Sequence, residues 1–170
     1  MMSRKIMILG EIGVGKTSLV RRFVLDEMPT EYLPTMGVDI YRYTVPAAPP
    51  GQVVPVELVI WDIDGNYGQS IFRHVYSKGA SGALIVGDIT RRPTLDLMVD
   101  LAHGFQDAMP GRHFSFVVNK LDLVGDAAEA EIPEALRLSQ HPIEWTSAKS
   151  GANVRHSFEA AAAAISRREA

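Results

Sequence analysis

The chain has 170 residues, a formal net charge of −3 and no cysteine. This length fits a single domain spanning residues 1–170, and the slightly acidic balance argues against a dedicated nucleic-acid-binding protein, which would be strongly basic. Without cysteine, the chain can form neither a disulfide framework nor a thiolate metal site. No apolar run approaches the roughly 18 residues of a membrane span, so we expect a cytoplasmic protein, acting as a monomer.

Short apolar runs alternate along the chain with longer segments of helical periodicity. The apolar runs are residues 6–9, 58–61, 83–86, 114–118 and the shorter 143–146. The helical segments are residues 16–26, 95–108 and 153–166. Because the apolar runs are rich in β-branched residues, they indicate strands that are buried on both faces. This alternation predicts an open α/β sheet with helices on both faces, which binds ligands beyond the carboxyl ends of its strands.

Residues 38–61 depart from this alternation. Two strand-like runs, 38–45 and 53–61, flank a turn that is marked by Pro49, Pro50 and Gly51. We predict an antiparallel hairpin whose first strand lies at the edge of the sheet. The proline cluster is interpreted as a solvated loop rather than as a proline-rich recognition motif.

A glycine-rich loop follows the first predicted strand. Residues 10–17 read Gly-Glu-Ile-Gly-Val-Gly-Lys-Thr and match the phosphate-binding pattern G-x-x-x-x-G-K-S/T between a strand and a helix. The backbone N–H groups of such a loop and the following helix N-terminus surround phosphate oxygens. Lys16 is expected to reach the β- and γ-phosphates, and the Thr17 hydroxyl to coordinate Mg²⁺. The predicted phosphate-binding residues are Gly13, Val14, Gly15, Lys16, Thr17 and Ser18.

Two further motifs follow later strands and predict the base. Residues 119–122, Asn-Lys-Leu-Asp, come directly after the strand at 114–118. The Asp122 carboxylate can accept hydrogen bonds from N1–H and the 2-amino group of guanine, and adenine would leave it unpaired. The Lys120 stem can cover the base plane, and residues 146–149 can present a backbone N–H to guanine O6. The predicted base-binding residues are Asn119, Lys120, Asp122, Ser147, Ala148 and Lys149.

Together these motifs resemble the small GTPases of the Ras superfamily, and the Rab branch most closely, from Arg4 to about Ser166. Residues 32–39, Tyr-Leu-Pro-Thr-Met-Gly-Val-Asp, resemble the first switch of that branch. Residues 61–65, Trp-Asp-Ile-Asp-Gly, resemble the start of the second. The resemblance implies a P-loop NTPase fold of three layers, in which about five helices surround a six-stranded mixed sheet with one antiparallel edge strand.

The resemblance also implies roles for single residues. Thr35 senses Mg²⁺ and the γ-phosphate, Asp62 holds Mg²⁺ through water, and the Gly65 N–H meets the γ-phosphate. Met28 and Tyr32 lie where relatives pack against guanine. The implied metal ligands are Thr17, Thr35 and Asp62, and the implied catalytic residues are Asn66, Lys16 and Thr35. The cofactors are GTP or GDP and Mg²⁺.

Four residues depart from the family pattern. Asn66 replaces the Gln that orients the attacking water, and its amide is one methylene shorter, so we predict slow hydrolysis. Asp64 replaces a small residue, and the γ-phosphate would repel its carboxylate unless it points to solvent. Ile12 replaces Gly or Ser and could obstruct an arginine supplied by an activating protein. Met28 replaces an aromatic residue, which predicts faster nucleotide release.

The leading interpretation is a Rab-like switch that hydrolyses GTP to GDP slowly with Mg²⁺. Effectors, exchange factors and activating proteins would bind its switch regions. One alternative is a pseudo-GTPase that holds nucleotide and recruits partners without turnover. A P-loop kinase or ATPase is a second alternative, against which Asp122 argues. Because there is no cysteine for prenylation, either the sequence is truncated or the protein works without a lipid anchor.

Other residues support weaker expectations. Ile40, Trp61 and Tyr76 resemble the apolar effector-contact surface of Rab-like proteins, and ordinary packing of half-buried side chains explains them equally well. Four histidines, which form no metal-ligand spacing, are expected at the surface. They are His103, His113, His141 and His156.

Overall fold

The computed structural model describes residues 1–28, 37–47, 54–65, 70–125 and 132–168, without the side chains of residues 47, 54 and 70–73. Its strands are β1 (Met2–Gly10), β2 (Val38–Ala47), β3 (Val54–Ile63), β4 (Ala80–Asp88), β5 (His113–Asn119) and β6 (Ile143–Trp145). Its α-helices are α1 (Lys16–Leu25), α2 (Ser70–Ser77), α3 (Arg92–Ala108), α4 (Glu134–Arg137) and α5 (Val154–Arg168). A 3₁₀ helix spans Leu121–Leu123.

The six strands form one mixed sheet in the order β2-β3-β1-β4-β5-β6. Only β2 runs antiparallel to its neighbour, and its register with β3 extends from Val38 opposite Ile63 to Ala47 opposite Val54. The other neighbouring pairs are parallel. The predicted α/β fold and the predicted antiparallel pair with its first strand at the sheet edge are therefore confirmed, whereas the turn predicted at Pro49, Pro50 and Gly51 lies outside the described residues.

Helices cover both faces of the sheet because the inner strands are apolar on both sides. On one face, α1 and α5 pack against the sheet, and the rings of Phe23 and Phe158 stack with their centroids 4.3 Å apart. On the other face, Met98 and Phe105 of α3 are fully buried. Burying a side chain of this size contributes roughly 1.5–3 kcal/mol. Among the described residues, no helix is both long enough and apolar enough to cross a bilayer.

The parallel strands bring four chain segments to one edge of the sheet. Strands β1, β3, β4 and β5 end at Gly10, Ile63, Asp88 and Asn119, and parallel strands present their carboxyl ends at the same edge. The glycine-rich loop, the start of the second switch-like segment and the base-reading motif therefore lie close together. This edge is where the sequence predicts ligand binding.

His113 contradicts the expectation of a surface histidine. It is the first residue of β5 and is only 9% exposed. Burial, and then the positive charge of Arg168, lower its pKa to about 4. The expectation is wrong because β5 begins one residue earlier than the apolar run that predicted it, so that His113 is drawn into the sheet.

The buried His113 makes the stability of the fold depend on pH. Since the folded state disfavours its protonated form, the unfolded chain binds more protons between pH 6.5 and pH 4, and stability falls as the pH drops through that window. In a His113→Gln variant, the free energy of unfolding should vary with pH by up to about 3 kcal/mol less than in the wild type. Urea unfolding at pH 7 and pH 4.5 measures it, with His103→Gln on the exposed face of α3 as the control. Equal pH dependence in wild type and His113→Gln would contradict the assignment.

Candidate nucleotide-binding site

The glycine-rich loop connects β1 to α1, as the sequence predicts. Gly13 and Gly15 have φ angles of 81° and 100°, in the left-handed region that favours glycine. At Gly15 there is also no room for a side chain, because a Cβ there would overlap the side-chain amide of Asn119. The loop thus runs directly against the end of β5 before α1 begins. A loop of this shape, opening into a helix N-terminus, suits a phosphate group.

Lys16 lies inside this loop with its ammonium group desolvated. The residue is 6% exposed, and its Nζ donates to the carbonyl oxygens of Gly10 at 2.8 Å and Glu11 at 2.9 Å. Burial lowers the pKa of Lys16, and the nearby charges of Asp62 and Glu11 offset that effect only in part. A buried cation in this position fits an anionic ligand at the mouth of the loop.

Two of the three predicted metal ligands meet beside the loop. The Thr17 hydroxyl donates to Asp62 Oδ2 at 2.5 Å, and Asp62 is fully buried near the end of β3. Hydroxyl and carboxylate oxygens are the hard ligands that Mg²⁺ prefers. The donor set that the structure brings together therefore fits a magnesium ion.

Three successive carbonyl oxygens of the loop accept hydrogen bonds from side chains of neighbouring segments. Arg91 Nη1 donates to Ile12 O at 2.9 Å, Lys120 Nζ to Gly13 O at 2.8 Å, and Asn119 Nδ2 to Val14 O at 3.0 Å. Lys120 and Asn119 belong to the predicted base-reading motif. That motif is therefore joined directly to the glycine-rich loop, so that the predicted base and phosphate sites are adjacent.

The two base-reading segments are also bound to each other. Asn119 Oδ1 accepts hydrogen bonds from the Thr146 hydroxyl at 3.0 Å and from the Ala148 N–H at 3.2 Å. The Ser147 hydroxyl donates to Asp122 Oδ1 at 2.7 Å. This last contact orients an exposed carboxylate at the edge where the parallel strands end. Lys149, in the second of these segments, is exposed.

Comparison with known proteins identifies the chain. The family model described as the Ras family matches residues 5–167. The chain belongs to the Ras family. It is 29% identical over 162 residues to Ras-related protein Rab-13 of Canis lupus familiaris, a match covering 93% of this chain and 77% of that protein. It is 32% identical over 164 residues to GTP-binding protein ypt5 of Schizosaccharomyces pombe, with 94% and 76% covered.

A third relative is Ras-related protein Rab-36 of Homo sapiens, 32% identical over 167 residues, which cover 94% of this chain and 60% of that protein. The family match and these relatives confirm the resemblance drawn from the motifs. The chain is a Rab-like small GTPase, and this family binds guanine nucleotides and Mg²⁺. Rab proteins generally act with effectors, exchange factors and activating proteins.

Three of the predicted site residues of this GTPase, Tyr32, Thr35 and Asn66, lie outside the described residues. Met28 ends a described segment with 41% of its surface exposed. Gly65 lies against the phosphate loop, because a Cβ at this position would overlap the side chain and backbone of Ile12. The Ile12 side chain is 50% exposed. Ile12 is therefore the residue of the loop that contacts the start of the second switch-like segment.

Asp64 is partly buried, and its carboxylate contacts the end of the first switch-like segment. Its carboxylate Oδ2 accepts a hydrogen bond from the Gly37 N–H at 3.2 Å. In return, the Asp64 N–H donates to Gly37 O at 3.0 Å. The two contacts tie the end of the first switch to the start of the second.

Asp88 is a site residue that the sequence reasoning missed. It closes β4, is 1% exposed, and its Oδ2 lies 2.8 Å from Lys120 Nζ. Its Oδ1 accepts hydrogen bonds from the Thr90 N–H at 2.9 Å and the Thr90 hydroxyl at 2.6 Å. Burial raises the pKa of Asp88, but the hydrogen bonds from Lys120 and Thr90 outweigh burial and hold it below its usual value. An Asp that closely follows a buried apolar run, the pattern that pointed to Asp62, is the sequence signal that could have identified Asp88.

Removing the Asp88 charge is expected to loosen Lys120 from the loop. Asp88→Asn should speed nucleotide release about tenfold and destabilise the nucleotide-free protein by about 2 kcal/mol, because the ammonium loses its buried counter-ion while one-third of its side chain stays exposed. Release of a fluorescent GDP analogue and urea unfolding measure the two effects. Asp96→Asn is the control, since Asp96 pairs with Arg92 in solvent at 3.2 Å. Indistinguishable behaviour of the two variants would contradict the role of Asp88.

Proposed function

We propose that this Rab-like chain is a magnesium-dependent guanine-nucleotide switch that hydrolyses GTP to GDP slowly, as a single GTPase domain over residues 1–170. The observation that carries the proposal is the junction between the base-reading motif and the phosphate loop. Asn119 reaches Val14 at 3.0 Å, Lys120 reaches Gly13 at 2.8 Å, and Ser147 orients Asp122. A nucleotide with guanine at Asp122 and phosphates at the loop would bridge groups that already contact each other.

Each part of the site has a role in this proposal. The loop from Gly13 to Ser18 offers its N–H groups to the phosphates, and Lys16 contributes a desolvated positive charge. Thr17, Asp62 and Thr35 would hold Mg²⁺, which when bound neutralises phosphate charge during transfer. Asp122 accepts the guanine donors, and the segment Ser147, Ala148 and Lys149 encloses the base.

The switching element is proposed to be the pair of segments joined by Asp64 and Gly37. In this proposal Thr35 and Gly65 sense the γ-phosphate, one on each segment. Because Asp64 and Gly37 exchange two hydrogen bonds, movement of one segment is transmitted to the other. Gain or loss of the γ-phosphate would thus change both switches together.

Slow hydrolysis is proposed because Asn66 has a shorter reach than Gln. Single-turnover GTP cleavage by wild type and by Asn66→Gln tests this. We expect the longer amide to raise the rate by about tenfold or more, because it can orient the attacking water. No gain with Gln would contradict the explanation.

A pseudo-GTPase that binds nucleotide without turnover is the second candidate. The Asp64 carboxylate, held by the Gly37 N–H, favours the pseudo-GTPase because it adds negative charge near the predicted γ-phosphate position. The same charge lies close enough to Lys16 to oppose the lowering of its pKa by burial. A phosphate-release assay on the GTP-loaded protein, with and without candidate activating proteins, separates the two. Measurable release supports the GTPase, and complete absence of release under both conditions supports the binding module.

The partner surface is proposed to include Ile40, Trp61 and Tyr76. Ile40 lies directly opposite Trp61 across β2 and β3 and is half exposed. The rings of Trp61 and Tyr76 meet edge to face, 6.5 Å apart. Lys5 Nζ covers the Trp61 ring at 3.7 Å from its centroid. An apolar surface next to both switches would let effectors, exchange factors and activating proteins respond to the bound nucleotide, with the chain acting as a monomer.

The nucleotide that co-purifies with the chain gives a first test of the proposal. Denaturing the purified protein and separating the released nucleotides should yield GDP or GTP in near-stoichiometric amount. Release of adenine nucleotides instead would contradict the assignment of Asp122 as the guanine-reading residue.

A further inference from the structure

Arg91 reaches the phosphate loop from outside every motif that defines the site. It immediately precedes α3, and its Nη1 donates to Ile12 O at 2.9 Å. The same guanidinium nitrogen would lie 3.2 Å from a Cβ built at Gly13. A guanidinium cation therefore lies next to Gly13, the second glycine of the loop.

The backbone of Arg91 is held firmly on both sides. Its N–H donates to Asp88 O at 3.0 Å. Its own carbonyl oxygen accepts hydrogen bonds from the N–H of Thr94 at 3.0 Å and from the Thr94 hydroxyl at 2.7 Å. Thr94 is buried in the first turn of α3. The guanidinium therefore extends from a fixed point towards the loop, although the side chain itself is exposed.

Peptide geometry gives this contact a consequence for ligand binding. In a trans peptide the C=O and N–H groups point in opposite directions, so a donor on Ile12 O stands behind the N–H of Gly13. A charged donor polarises the peptide and strengthens that N–H as a donor to an anion. In a loop of this type the N–H groups face the phosphates. Arg91 thus acts on the phosphate site through the peptide between Ile12 and Gly13.

The neighbouring peptides carry the same arrangement. Lys120 donates to Gly13 O and so stands behind the Val14 N–H, and Asn119 donates to Val14 O and so stands behind the Gly15 N–H. Arg91 extends this row by one peptide, towards the tip of the loop. Three consecutive N–H groups are then each backed by a side-chain donor, and two of those donors are cations.

We propose that Arg91 is a positioning residue for the phosphates of the bound nucleotide: it fixes and polarises the peptide between Ile12 and Gly13 so that the Gly13 N–H donates to a phosphate oxygen. This inference rests on the proposed function, since it concerns the same site. It differs from the motif-based roles because it assigns to α3 a direct influence on phosphate affinity.

The chain offers a matched control next to Arg91. Arg92 pairs with Asp96 along the solvent-exposed side of α3, with its Nε 3.2 Å from Asp96 Oδ1. Arg92→Ala removes the same charge one residue further along, away from the loop. Arg91→Lys keeps a positive donor but loses the planar guanidinium group.

The test is the affinity of the nucleotide-free protein for GDP and GTP in Mg²⁺, measured by competition against a fluorescent GDP analogue. Arg91→Ala should weaken both affinities about tenfold, which corresponds to loss of one charge-assisted hydrogen bond. Arg91→Lys should recover part of the loss, and Arg92→Ala should stay within about twofold of wild type. The ratio of GTP to ATP affinity should not change in any variant, because none touches the base-reading residues.

A second readout separates positioning from a loss of fold. The amide proton of Gly13 in the GDP complex should shift upfield in Arg91→Lys and further in Arg91→Ala, because its hydrogen bond weakens. Affinities within about twofold of wild type for Arg91→Ala, or an equal loss in Arg92→Ala, would overturn the inference. Wild-type protein that binds no guanine nucleotide would overturn the proposed function itself, and this inference with it.

Discussion

An Asp122→Ala variant of this GTPase is expected to lose its preference for guanine over adenine nucleotides. In the proposed function the carboxylate accepts two hydrogen bonds from guanine. Hydrogen bonds to a charged acceptor contribute about 1.5–3 kcal/mol each, so the ratio of GDP to ADP affinity should fall by at least about a hundredfold. Affinities for GDP and ADP, measured by competition on nucleotide-free protein, give this ratio.

Two further variants sharpen the test of Asp122. Ser147→Ala removes the hydroxyl that orients the carboxylate at 2.7 Å, so it should reduce the ratio by a smaller amount. Asp107→Ala removes an exposed carboxylate of α3 and should leave the ratio unchanged. A full GDP preference in Asp122→Ala would show that another residue reads the base.

Lys16→Met is expected to weaken the binding of GDP and GTP by at least about a hundredfold, because the loop loses its desolvated cation. Methionine can occupy the space of the lysine's buried hydrocarbon chain, but the carbonyls of Gly10 and Glu11 lose a donor, so the nucleotide-free protein should lose no more than about 2 kcal/mol of stability. Calorimetric titration measures the affinity, and urea unfolding measures the stability. The two readouts separate loss of binding from loss of fold.

The control for Lys16→Met is Lys78→Met, which removes an exposed lysine just after α2. It should leave both affinity and stability unchanged, because exposed charges contribute little. A Lys16→Met protein that still binds GDP within about tenfold of wild type would show that the loop does not supply its main phosphate-binding charge.

The sequence predicted the parts of the fold that local patterns determine. The alternation of apolar runs and helical segments predicted the sheet and its covering helices, and the Pro-Gly turn predicted the antiparallel hairpin. The strand limits were less accurate, since β1 extends from Met2 to Gly10 although the apolar run that predicted it covers only residues 6–9. Residues 3–5, which are Ser-Arg-Lys, are polar, yet they pair with residues 57–59 of β3. Backbone pairing extends a strand beyond the residues that bury an apolar side chain.

Contacts between distant residues explain what the sequence could not predict in the site. Arg91 and Ile12 are 79 positions apart, and Lys120 and Gly13 are 107 apart. They meet because β4 and β5 lie next in order after β1, which no local pattern specifies. Asp64 shows the same limit. From its charge alone we expected repulsion or solvent exposure, and the hydrogen bond that its carboxylate accepts from the N–H of Gly37, just before β2, was not predicted.

The affinity of the nucleotide-free chain for GDP and GTP, compared directly with ADP and ATP in the presence of Mg²⁺, tests the central claim. We expect guanine nucleotides to bind at least about a thousandfold more tightly, because Asp122 finds two donors on guanine and none at the same positions on adenine. Displacement of bound GDP by ATP as readily as by GTP would contradict the account.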